Sequence, residues 1–203
     1  MKQLVIASNN PGKLREIREI VAPLGIDIVP QSAHGVPEAE EPHATFIENA
    51  LAKARHACRW TGLPALADDS GICVEALDGA PGVRSARYAE GADAPARLAQ
   101  DERNNRKLLE MLENVDARGA HYYCVLVLVR RPDDPQPLIA EAEWRGVVLR
   151  APRGSGGFGY DPLFLLPELG VTAAELASEA KNRVSHRGQA LALLAEKLRA
   201  SSW

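Results

Sequence analysis

The chain has 203 residues, of which 46% are hydrophobic and 25% charged. That is ordinary globular composition, long enough to bury one sizeable core, and it predicts a single domain over 1–203 or two tightly packed lobes. Lys plus Arg number 24 against 27 Asp plus Glu, a net charge of -3. The basic surplus that neutralises phosphates on a polynucleotide is missing, and the high apolar content argues against disorder. Cys58, Cys73 and Cys124 are odd in number, widely spaced and form no CxxC pair. A disulfide framework or zinc cluster is therefore not expected, and a reducing compartment is. The apolar run in Met1–Asn9 is short for a signal segment, and nowhere do about 18 apolar residues follow one another as a membrane helix needs. The expectation is a cytoplasmic chain with no membrane association.

In chain order, Leu4-Val5-Ile6-Ala7 reads as a buried strand bounded by the polar turn Ser8-Asn9-Asn10-Pro11-Gly12. Leu14, Ile17, Ile20 and Val21 have helical spacing over Lys13–Val21, and Ile26–Val29 suits a second short strand. This β-loop-α-β opening predicts an α/β protein. Gln31–Pro42, acidic and interrupted by proline, reads as a loop. Thr45-Phe46-Ile47-Glu48 has capping-box spacing and opens a helix to Trp60, with Asn49, Lys53, His56 and Trp60 along one face. Ala65-Leu66-Ala67 and Ile72–Ala76 suit two strand segments around a polar tip, Asp68-Asp69-Ser70-Gly71. Asp78–Asp93 looks irregular, and Pro95–Asn114 suits a long helix with Leu108 and Leu112 inward. Tyr122–Val129 is the strongest strand signal. Leu138–Leu149 suits one or two antiparallel strands after a turn at Asp133-Asp134-Pro135. The last helix is expected from a Ser185 cap to Ala200.

Four blocks carry residues suited to chemistry. In Ser8–Lys13, backbone N–H groups at a helix start favour an anion and Lys13 adds a point charge; the block is neither a Walker A loop nor GxGxxG, and a plain polar turn remains open. Asp68-Asp69 offers carboxylate oxygens to a hard divalent cation and a general base beside it, though local turn bonding would also explain the pair. Glu38, Glu40 and Glu41 form a second acidic cluster, equally readable as a solvated run. Gly156-Gly157-Phe158-Gly159-Tyr160-Asp161 sets two rings and a carboxylate in a glycine-permissive loop, suited to stacking on a planar base or to a tight packed turn. In Lys181–Arg187, three cations and a histidine precede a helix, against the dipole preference there, which points to an anionic or carbonyl partner or to a solvated basic face.

Together these blocks resemble the inosine/xanthosine triphosphate pyrophosphatase family. The matching segments are Ser8–Lys13, Thr45-Phe46-Ile47-Glu48-Asn49-Ala50, Ala67-Asp68-Asp69-Ser70-Gly71, Gly79-Ala80-Pro81-Gly82, Ser85-Ala86-Arg87-Tyr88, Gly156–Pro162 and Ser185-His186-Arg187-Gly188, which follow the family's order along nearly the whole chain. The resemblance implies a long mixed β-sheet flanked by helices, in two lobes with a cleft between them, of the Maf/Ham1-like kind. It implies hydrolysis of ITP, dITP or XTP to the monophosphate and pyrophosphate with Mg²⁺, by a homodimer, which clears these nucleotides from the pool before polymerases use them. Carried over by position, Ser8, Asn9, Asn10, Pro11, Gly12, Lys13 and Lys53 would hold the triphosphate. Asp69 would be the general base and, with Glu41, a metal ligand, with Asp68 in support. Ser70, Phe158, Gly159, Tyr160 and Asp161 would contact the nucleoside, and Lys181, His186 and Arg187 would read the base. A nucleotide-binding module without catalysis would not need Asp69 and Glu41. A pyrimidine-specific relative would not carry Ser185-His186-Arg187.

Overall fold

The computed structural model describes residues 3–89 and 97–200. Among them are seven strands: β1 (Gln3–Ile6), β2 (Asp27–Pro30), β3 (Ala65–Val74), β4 (Gly119–Val129), β5 (Leu138–Val148), β6 (Phe164–Leu166) and β7 (Val171–Thr172). The α-helices are α1 (Pro11–Val21), α2 (Phe46–Thr61), α3 (Arg97–Met111), α4 (Ser178–Val184) and α5 (His186–Ala200). The strands hydrogen-bond in the order β2-β1-β3-β4-β5-β6-β7. β1 is parallel to β2 and β3, while β6 is antiparallel to β5 and β7, so the sheet is mixed.

The chain divides into two compact units. The first comprises Met1–Asp69, Cys124–Ala142 and His186–Trp203. Its core is Leu4 and Ile6 of β1, Ile17 and Val21 of α1, Leu126 and Leu128 of β4, and Leu191, Leu194 and Leu198 of α5. Burial of each such side chain is worth about 1.5–3 kcal/mol, and it fixes which helix faces turn inward. The second unit comprises Ser70–Tyr123 and Glu143–Ser185, and packs Ile72, Val74, Leu108, Leu112, Tyr122, Trp144, Tyr160 and Phe164.

Several expectations change in detail. β3 is one continuous strand through Asp68-Asp69-Ser70-Gly71, not two segments around a tip. Its burial explains this: Asp68 and Asp69 are inside, where a polar turn would not stay. Leu138–Val148 is a single strand. The segment expected to be irregular contains a 3-10 helix, Gly82–Arg87, whose Ser85 hydroxyl accepts from the Ile72 N–H at 3.0 Å and donates to the Gly82 carbonyl at 2.6 Å. Residues 90–96, including Asp93 and Pro95 of the expected elements, lie outside the described residues. Thr45 caps α2 by accepting from the Glu48 N–H, but its hydroxyl then donates to the Glu48 carboxylate at 2.6 Å. The reciprocal capping box occurs instead at Thr172 and Glu175.

Candidate functional site

In the first unit, β3 delivers Asp68 and Asp69 side by side. Successive side chains on a strand point to opposite faces, so the two carboxylates meet different partners. Asp68, 2% exposed, faces Lys13 Nζ at 3.0 Å and the Arg187 guanidinium at 3.2 Å. Arg187 itself donates to Glu16 of α1 at 2.5 Å. Burial pushes the Asp68 carboxyl up, but Lys13 and Arg187, helped by Lys53, outweigh it and hold the carboxyl well below the usual carboxylate range. Burial also disfavours the Arg187 cation, and Asp68 and Glu16 more than restore it. Asp68 is thus a permanently charged member of a buried ionic cluster.

Asp69 is different. Its Oδ1 accepts from Lys53 Nζ at 2.9 Å, while Oδ2 is buried with no hydrogen-bond partner among the described residues. Burial raises its carboxyl above the ordinary value, against the pull of Lys53 and Lys13. A carboxyl raised toward neutrality, with one oxygen unengaged, has the properties of a general base. Lys53 bridges it to Glu41, whose Oε1 lies 2.6 Å from the same ammonium. Burial disfavours that ammonium, but Asp69, Asp68 and Glu41 together keep it firmly protonated.

This carboxylate–cation–carboxylate arrangement marks a position where positive charge is stabilised. Two carboxylates fit a hard divalent cation, which takes oxygen ligands and can complete its shell with phosphate oxygens and water. No group of three or more His, Cys, Asp or Glu side chains that would hold a metal by themselves is found among the described residues.

The turn before α1 holds Ser8, Asn9, Asn10, Pro11, Gly12 and Lys13. Asn10 is the helix cap: its Oδ1 accepts from the Gly12 N–H at 2.9 Å and the Lys13 N–H at 3.4 Å. Pro11 has no N–H, so the amides expected to cradle an anion are taken up by the cap in this structure. Ser8 Oγ accepts from the Asn10 N–H at 3.2 Å, and Asn9 Nδ2 donates to Glu38 at 3.2 Å. The group in this turn best suited to a phosphate is therefore the Lys13 ammonium.

In the second unit, Ser70 continues β3. Asp161, 3% exposed, is the hub: Oδ1 accepts from Tyr122 Oη at 3.2 Å, and Oδ2 accepts from Lys181 Nζ at 2.5 Å and the Phe158 N–H at 2.9 Å. Lys181 Nζ lies 4.9 Å from the Phe158 ring centroid. Gly157 is required here, because a Cβ at its φ of +73° would stand 2.1 Å from Asp161 Oδ2. Gly159 is held from α3, its N–H by Asp101 at 2.8 Å and its carbonyl by Asn105 at 3.0 Å. Of the two rings expected to stack on a base, Phe158 is half-buried, whereas Tyr160 is 3% exposed and donates to the Ser85 carbonyl at 2.8 Å, a core role.

The basic block separates. Lys181 is on α4 of the second unit, while His186 and Arg187 open α5 in the first. Arg187, expected to donate to a base edge, is 3% exposed and pairs with Asp68 and Glu16. Glu16 and Tyr122 went unnoticed in the sequence. The signal for Glu16 was its place on the Lys13 face of α1, three residues on. Tyr122 carried none, since it reads as an ordinary strand aromatic.

The sequence model of the Ham1 family matches residues 4–197. The dITP/XTP pyrophosphatase of Ralstonia nicotianae is 65% identical over 98% of this chain and 98% of its own. The dITP/XTP pyrophosphatase of Nitrosomonas europaea is 63% identical over 98% and 95%. Among solved structures, a HAM1 protein from Coxiella burnetii is similar with a TM-score of 0.91 and 47% identity, over 99% of this chain and 100% of that one. The Ham1 protein of Staphylococcus aureus gives 0.85 and 36%, over 98% and 99%. A match over nearly every residue, in sequence and in backbone alike, establishes that the chain belongs to the Ham1 family.

Proposed function

We propose that the protein hydrolyses non-standard purine nucleoside triphosphates (ITP, dITP and XTP) to the monophosphate and pyrophosphate, with Mg²⁺. The observation that carries this is Asp69: a buried carboxylate with one unengaged oxygen, paired with Lys53 and adjoining in the strand a second aspartate of fixed charge. The printed names of the relatives support the same activity.

In this reading Lys13 and Lys53 neutralise the triphosphate, and the Ser8, Asn9 and Gly12 turn lies against it. Asp69 takes a proton from water. The water oxygen forms a bond to the α-phosphorus as the bond from that phosphorus to the α–β bridging oxygen breaks, and the electron pair leaves with pyrophosphate. Mg²⁺ held by Glu41 and Asp69 would supply charge neutralisation and polarise phosphoryl oxygens. Asp68, kept ionised by Lys13 and Arg187, fixes Lys13 in place; Arg187 thereby acts through Asp68.

Phe158 supplies a stacking face and Lys181 a donor for the purine. Inosine and xanthosine present an oxygen at C6 that accepts from a cation, whereas adenine presents an NH₂ and leaves two donors opposed. Mismatches of that kind discriminate by about 10⁴-fold. The same reading carries a homodimer, checked by light scattering of the purified chain, and a cytoplasmic location, checked by fractionation; no helix among the described residues is long and apolar enough to cross a membrane.

The test is product analysis. With ITP and Mg²⁺ the products are IMP and pyrophosphate in equal amounts. Stepwise release of orthophosphate through IDP overturns the assignment.

A further inference from the structure

Glu41 lies in a segment with no helix or strand from residue 36 to 44. Its carboxylate sits 2.6 Å from Lys53 Nζ. The reason is on α2. Four side chains along one helical face, Asn49, Lys53, His56 and Trp60, each grip a successive point of the chain from His43 back to His34, which runs antiparallel to the helix. Asn49 grips His43, Lys53 grips Glu41, His56 grips Pro37 and Trp60 grips His34. The spacing of four, three and four residues is one stripe of an α-helix.

Asn49 is the strongest of these grips. It is 0% exposed, its Oδ1 accepts from the His43 N–H at 3.1 Å and its Nδ2 donates to the His43 carbonyl at 3.2 Å. Only a carboxamide satisfies both groups from one side chain; aspartate has no donor and alanine neither group. His56 lies on the other side of Glu41. Its Nε2 is 3.0 Å from the Pro37 carbonyl, which can only accept, so that nitrogen carries the proton. Trp60 Nε1 donates to the His34 carbonyl at 3.3 Å, which accounts for a tryptophan 57% exposed on a helix surface. Glu41 is thus clamped two residues after and four residues before its own position.

We infer that Asn49 and His56 are positioning residues that hold Glu41 at the place where it meets Lys53 and Asp69. The inference rests on the assignment of Glu41 to the cation site made above. Holding a ligating group within a fraction of an ångström is what separates a working site from a loose one, and freeing the segment would dilute Glu41 over many positions.

The test compares wild type with Asn49→Ala, His56→Ala, Glu41→Ala and the double variant Asn49→Ala/Glu41→Ala. Hydrogen exchange is read first, without nucleotide or metal. Asn49→Ala should raise exchange of the His43 amide, read in the peptide covering residues 36–44, at least about tenfold while leaving the peptides of β1 and α5 unchanged, since the hydrogen bond that shields that amide is released. His56→Ala, by freeing the Pro37 carbonyl, should raise exchange of the adjoining Val36 amide, which donates to the Gln31 carbonyl at 3.2 Å, and it serves alone if Asn49→Ala does not fold. Pyrophosphate release is read second. Asn49→Ala should lower kcat and raise the Mg²⁺ concentration needed for half-maximal rate, each about tenfold, with KM for nucleotide little changed.

In the double variant the Asn49 change should cost nothing further, because its effect passes through Glu41. Unchanged exchange in 36–44 overturns the clamp, and so does full additivity in the double variant. If Glu41→Ala keeps wild-type turnover, the assignment of Glu41 to the cation site fails instead, and the exchange result still decides whether the clamp exists.

Discussion

Two adjacent aspartates should respond oppositely when each is made neutral. In Asp68→Asn, the carboxylate that faces Lys13 at 3.0 Å and Arg187 at 3.2 Å loses its charge. Removing one partner of a buried ion pair costs about 3–5 kcal/mol. Arg187 keeps Glu16, so the lower end applies, about 3 kcal/mol, or a fall in Tm of roughly 6–12 °C for a chain of this size. In Asp69→Asn, by contrast, the fold is relieved of a carboxylate whose ionised form it disfavours, since burial holds that carboxyl above its ordinary value. Lys53 retains Glu41 at 2.6 Å, so Tm should stay within about 2 °C of wild type or rise. Activity should nonetheless fall at least about 100-fold in kcat, the low end of what a general base contributes. The assay is thermal unfolding at pH 7 without divalent ion, paired with pyrophosphate release from ITP. The reasoning is refuted if Asp68→Asn melts with wild type, if Asp69→Asn loses more than about 1 kcal/mol of stability, or if Asp69→Asn turns over normally.

Arg187→Met should destabilise by a similar route and lower kcat/KM for ITP and ATP by the same factor; a loss confined to ITP would restore it as a reader of the purine edge. Gly71→Ala should cost about 1–3 kcal/mol in a melting experiment, because a Cβ there would stand 2.4 Å from both the Gly82 carbonyl and Ser85 Oγ. Asp134 accepts from Arg130 Nε at 2.8 Å and from the Gln136 N–H at 3.0 Å, bonds that hold its carboxyl far below the usual range despite the opposing effect of burial. A depressed carboxyl contributes stability above its unfolded value of about 3.9 and loses it as pH falls toward the folded value. Wild type should therefore lose Tm more steeply than Asp134→Asn below about pH 4, and parallel curves would show that the pair does not matter.

Much of this protein is legible along the chain. The apolar run at Leu4–Ile6, the helical spacing of Ile17 and Val21, and the β-branched stretch ending at Val129 are local patterns with a fixed period, so β1, α1 and β4 follow from them directly. The Ser8–Lys13 turn, the Asp68-Asp69 pair and the glycine loop before Pro162 carry chemistry in their residue types, so the kind of site could be named before any coordinate was known. What side chains do once they meet is another matter. Lys181 and Arg187 are neighbours in sequence, and a chain reading gives them one task; Ser185 breaks the helix between them, and each enters a different unit with a different carboxylate. Asp68 and Asp69 have identical chemistry and adjoin each other, yet strand alternation turns one toward Arg187 and the other toward Lys53, and their carboxyls move in opposite directions. Period and residue type are local properties and survive in the sequence; charge partners, burial and the resulting proton affinities are set by residues tens of positions away, and folding alone brings those together.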